Sequence, residues 1–158
     1  MRGFKFSFFI LNFLFLSLIT GCSSSENGSS NTSQSTQRIC PQCNMPVPES
    51  NIYSCKLENN GKISYFDDIG CLILWTKNQK IDINAAKAEV FTNDTHKYIN
   101  IKDAYYTINE KTPMNYGFAA YEHKKEDTFY IKIDEVKLKM LRGEHLANPK
   151  IRKQILGY

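Results

Sequence analysis

Cys40, Pro41, Gln42, Cys43, Asn44 and Met45 put three sulfur atoms within six residues. A Cys-x-x-Cys pair alone suits a disulfide, a redox pair or half of a zinc site. The nearby methionine narrows the choice, because a thioether is a poor zinc ligand but suits monovalent copper. Met45 lies between Asn44 and Pro46, a loop setting rather than an apolar face, so it reads as a ligand more readily than as a core filler. The sulfurs of Cys40, Cys43 and Met45 are therefore candidates for binding Cu(I).

Cys55, Cys71, His96, His123 and His145 are the other candidates, and none forms a second paired spacing. A four-Cys zinc site stays open, since spacing does not report proximity. Cys40 can be a further ligand, a partner that oxidises with Cys43, or an accessory donor. Cys55 and Cys71 read as small buried hydrophobes or as a disulfide. The histidines sit among Lys, Glu and Asp and read as surface groups, with His123 the one most open to metal contact. Asp67 and Asp68 read as helix caps. No Ser, His and Asp arrangement or glycine-rich phosphate loop stands out.

These residues need elements to hold them. Ile52–Leu57 and Lys62–Phe66 are β-prone runs joined through Asn60-Gly61, a hairpin signal. Asp67 or Asp68 then caps a helix over Ile69–Lys77 that is apolar nearly all round, with Trp75 expected to be largely buried. A second block holds extended runs at Glu89–Thr92, Tyr98–Ile108, Tyr116–Tyr121 and Phe129–Ile133. There Asp134 is expected to cap a helix that stops at Gly143. The expected fold is α+β: a small domain of two ββα-like units with mainly antiparallel sheet.

The chain has 158 residues, 20 of them aromatic, with a net charge of +4. That size gives one ordinary domain, the aromatic content argues against extensive disorder, and the charge is too small for a nucleic-acid binder. Arg2 and Lys5 precede an apolar run over Phe6–Ile19, too short for a stable span. Residues 1–21 read as an export signal, and Ile19-Thr20-Gly21-Cys22 resembles the bacterial lipoprotein signal, which implies acylation of Cys22. Residues 22–38 are polar and read as a flexible tether, leaving 39–158 as the folded part. Lys124–Tyr158 carries nine basic and five acidic side chains, read as a solvated helical surface.

Cys40–Met45, the run Phe66-Asp67-Asp68-Ile69-Gly70-Cys71 and the segment Pro113-Met114-Asn115-Tyr116-Gly117-Phe118 together resemble the NosL family. The resemblance covers roughly residues 22–133. It implies a membrane-anchored periplasmic copper chaperone that binds one Cu(I) and passes it through an ABC-transporter-associated complex toward nitrous oxide reductase, without turnover of its own. It implies Cys43, Met45 and Met114 as the Cu(I) ligands, and Cys40 is left outside that core site. The family usually has glycine where this chain has Asn44 and Asn115, and asparagine tolerates the left-handed conformation better than most residues. The outer membrane is the favoured location. The alternative from the residues alone is an exported thiol-disulfide oxidoreductase using Cys40 and Cys43.

Overall fold

The first hairpin forms where the Asn-Gly turn requires it. A computed structural model describes residues 37–158, with strands β1 (Cys55–Asn59) and β2 (Lys62–Phe66) joined by Asn60 and Gly61 at φ 51° and 73°. Both turn residues are thus left-handed, the backbone twist that a two-residue hairpin needs. The export signal, Cys22 and the tether up to residue 36 lie outside the described residues.

Helix α1 (Ile69–Asn78) follows at once, and β3 (Lys87–Phe91) returns antiparallel beside β1, with β4 (Tyr98–Asn100) outside it. The sheet order is β2-β1-β3-β4. Alternation decides its faces. Cys55, Leu57, Ala88 and Val90 point to the core, while Lys56 pairs with Glu89 at 2.8 Å and Lys87 with Glu58 at 3.0 Å across the outer face.

The remaining elements are β5 (Tyr105–Thr107) and β6 (Ala119–Tyr121), which pair as a two-stranded sheet, then α2 (Ile133–Arg142) and α3 (Pro149–Leu156). The domain is α+β with antiparallel pairing throughout. Its second half is less unit-like than the patterning implied. β3 and β4 extend the first hairpin's sheet, and a turn over 101–104 divides the expected Tyr98–Ile108 strand. Phe129–Ile133 gives only a bridge between Ile131 and Tyr106, because Phe129 is exposed and Ile133 already opens α2.

Three local expectations need correction. Lys132, not Asp134, holds the N-cap position of α2, and no side chain caps it. Asp134 sits in the first turn, where the helix dipole favours it, and accepts a hydrogen bond from Asn84 Nδ2. Trp75 is half-buried: it tilts against Phe66 with ring centroids 5.5 Å apart while the C-terminal part of α1 runs out to the surface. Arg38, placed in the tether by composition, belongs to the fold, since its carbonyl accepts from the Val47 amide.

The described residues, 37–158, all belong to one compact unit. Its core gathers Leu57, Phe66, Leu72, Val90, Tyr106 and Val136 from both sheets, α1 and α2, with Ile83 and Phe118 from the connecting segments. Tyr106 is fully buried and donates its hydroxyl to the Ile101 carbonyl at 2.9 Å, satisfying its polar end. Among the described residues, no helix is long and apolar enough to cross a membrane.

Candidate metal centre

The Cys-x-x-Cys segment folds back on itself. Ile39 bridges Pro46, the Cys40 amide donates to the Met45 carbonyl, and the Asn44 amide donates to the Cys40 carbonyl, both at 2.9 Å. Closing so tight a loop requires a left-handed residue, and Asn44 supplies it at φ 61°. Asn115 is left-handed as well, at φ 54°. Asparagine thus occupies both positions in the conformation glycine would adopt freely. We expect Asn44→Gly to fold normally and Asn44→Val to lose about 1–2 kcal/mol in a denaturant titration, the cost of forcing a branched residue left-handed.

The loop lies over the junction between β2 and α1. Asp68 is the N-cap of α1 and accepts the Gly70 amide at 2.9 Å through Oδ1. Its Oδ2 accepts the Thr112 hydroxyl at 2.6 Å and the Met114 amide at 3.4 Å. The Tyr116 ring lies so close over Gly70 that a Cβ there would sit 2.2 Å from its Cδ2. One buried carboxylate and one glycine therefore fasten the 112–116 segment onto the start of α1. Burial pushes the Asp68 carboxyl up to about 6, against the pull of these donors.

With Asp68 occupied as the cap, Asp67 is free for another role. The sulfurs of Cys40, Cys43 and Cys71 and a carboxylate oxygen of Asp67 all lie within 4.8 Å of one another. Cys40, Asp67 and Cys71 are fully buried; Cys43 is half-exposed. The Cys43 thiol donates to Asp67 Oδ1 at 3.3 Å, whereas Asp67 Oδ2 is buried without a partner. A buried carboxylate oxygen with no donor is costly, and a cation would satisfy it.

The thiols share their protons unequally. A hydrogen bond from Cys71 holds the Cys40 thiol down at about 6 despite its burial. The same bond, reinforced by burial, keeps Cys71 protonated, and desolvation pushes Cys43 up to about 12. Without metal the cluster thus favours one thiolate, stabilised by a neighbouring thiol. A cation changes this balance, because thiol ligands bind as thiolates.

The spacing is close to what coordination needs. Tetrahedral bonds of about 2.3 Å put neighbouring sulfurs about 3.8 Å apart, so a contraction of an ångström or less converts the cluster into a first shell. Three sulfurs and one oxygen form a four-donor set that can hold a metal ion.

Comparison with family models, with curated proteins and with solved structures finds no match to this chain. The reading of the site therefore rests on its own geometry.

Of the residues picked from sequence, Cys43 is in the cluster. Met45 is on the same turn with 43% of its surface exposed, and Met114 is half-buried on the segment tied to Asp68. Cys40, set aside in the sequence reading, belongs to the centre, as do Cys71 and Asp67. Cys55 faces the core from β1 and is not among the cluster donors, so the four-Cys combination gives way to three cysteines and an aspartate. All four cysteines of the described domain are free thiols, and no Cys55–Cys71 disulfide forms.

The histidines stay apart. His123 pairs with Asp94 at 3.3 Å on the surface, and His145 is half-buried with its ring edge-on to Tyr116 at 4.9 Å. The usable sequence signal was the Asp67-Asp68 doublet: a helix start needs one cap, which leaves the other carboxylate spare. Cys71 falls in the first turn of that same helix.

Proposed function

We propose that this chain is an exported, lipid-anchored carrier of Cu(I), with Cys40, Cys43, Asp67 and Cys71 as its metal-holding centre and Met45 and Met114 as accessory thioethers. The carrying observation is the convergence of three thiol sulfurs on a buried, unpartnered carboxylate oxygen. Thiolates and thioethers are soft donors and favour monovalent copper over harder cations. In keeping with the NosL resemblance, the copper would pass through an ABC-transporter-associated complex to nitrous oxide reductase, from a periplasmic position held by acylated Cys22. The ion is cargo, and no turnover of the chain's own is proposed.

The oxidoreductase alternative fits the burial pattern less well. A reactive thiolate is normally partly exposed, to meet its substrate. Here the thiol held low, Cys40, is fully buried, while the accessible one, Cys43, is held high. Zinc is the reading that the Asp67 oxygen favours, since zinc accepts mixed sulfur and carboxylate sets.

The test is an anaerobic titration of residues 35–158 with Cu(I) against a chromogenic Cu(I) chelator, repeated with excess Zn(II). One tightly held equivalent of Cu(I), retained in zinc, is expected. No binding, or displacement of Cu(I) by zinc, would reject the copper reading.

A further inference from the structure

The cluster donors differ sharply in access. Cys40, Asp67 and Cys71 expose none of their surface, whereas Cys43 is half-exposed and Met45 is 43% exposed on the same tight turn. From Ile39 to Val47 the chain carries no charged residue, and Ile39, Pro41, Asn44, Met45 and Pro46 are all exposed. The loop that carries the partly exposed donor is therefore itself uncharged. An ion arriving from water or from another protein meets Cys43 and Met45 first and cannot meet the buried three directly.

We propose that the loop and α1 form two adjoining metal stations that share Cys43. The outer, receiving station is Cys43 with the Met45 thioether, and the inner, holding station is Cys43 with Cys40, Asp67 and Cys71. This rests on the proposed carriage of Cu(I) and assigns separate work to the exposed and the buried donors.

Movement between stations is ligand exchange alone. Copper stays monovalent throughout and no electrons are transferred. On arrival the Cys43 thiol gives its proton to water, its sulfur displaces one ligand of the incoming ion and the Met45 sulfur displaces a second, and the displaced ligands stay with the donor or leave as water. Moving inward, the Cu–S bond to Met45 breaks as bonds to Cys40 and Cys71 form, and the proton between those two sulfurs leaves to water. Release reverses these steps. Asp67 Oδ2, which has no donor in the free protein, gains the ion's positive charge at the inner station.

The stations separate equilibrium from rate. In Met45→Leu, which keeps the volume and removes the sulfur, Cu(I) affinity by chelator competition should stay within about threefold of wild type, since the inner set is intact. Transfer of bound Cu(I) to the same chelator, followed by stopped flow on residues 35–158, should slow about tenfold or more. Cys71→Ser should lose about 100-fold in affinity, as it takes away a thiolate of the inner set. Met45 is exposed, so its arm of the experiment holds even if Cys71→Ser folds poorly.

Unchanged transfer in Met45→Leu would overturn the proposal. So would a loss of about 100-fold in affinity in that variant, which would leave copper at the outer donors while the carrier reading survives. A wild-type domain that binds no Cu(I) is a different outcome: it removes the carrier reading itself, and the stations with it.

Discussion

Exchanging Cys40 for serine should lower Cu(I) affinity by about 100-fold or more, although the residue is completely buried and precedes the Cys-x-Met pair. Its sulfur is the one held at about 6, by a hydrogen bond from Cys71, so it is already anionic near neutral pH. Serine replaces a soft thiolate with a hard hydroxyl that does not ionise there, and the Cys71 proton loses its acceptor. Affinity should also rise with pH across the neutral range, because Cys43 and Cys71 must give up protons that the free protein retains. Chelator competition between pH 6 and 8 measures both effects. Were Cys40 only an oxidation partner for Cys43, the reduced variant would bind as wild type.

The second large effect concerns the frame of the site. Asp68→Ala should destabilise the domain by about 2–3 kcal/mol at pH 5, having removed a helix cap and left buried donors unsatisfied. The abandoned groups are the Gly70 amide, the Thr112 hydroxyl and the Met114 amide. The pH dependence has a definite sign. The folded value, about 6, lies above the ordinary 3.8, so the Asp68 contribution is complete below 3.8 and is lost as pH rises through 6. The gap between wild type and variant should therefore narrow from pH 5 to pH 7.5 in urea titrations. A gap that widens would mean that the carboxylate is stabilised, not penalised, by its surroundings.

The parts of this molecule that were legible in its sequence are those set by local chemistry. Asn60-Gly61 determines a turn whatever surrounds it, and α1 begins at Ile69, directly after its aspartate cap. Gly143 ends α2 in the left-handed conformation that its position suggested. Short strands were harder: a run such as Tyr98–Ile108 reads as one extended segment, and only tertiary pairing divides it between two sheets. The C-terminal helix α3 carries the basic surface expected there, with Asn148 as its cap and Pro149 in its first turn.

The candidate metal centre was half legible for a similar reason. Cys43 stood out because Cys40 and Met45 lie beside it in sequence. Cys71 and Asp67 come to the same point only because β2 and α1 meet under the loop, a long-range fact that spacing does not encode. Two adjacent aspartates look alike on paper, yet one is held by three donors and the other keeps a bare oxygen.

X-ray absorption at the copper edge of Cu(I)-loaded residues 35–158 tests the central claim most directly, because it counts the atoms around the ion. The four-donor centre predicts a first shell dominated by sulfur, and that shell should lose sulfur in Cys40→Ser and again in Cys71→Ser. A shell of nitrogen and oxygen in the wild-type protein, or a sulfur shell that neither substitution changes, would contradict it.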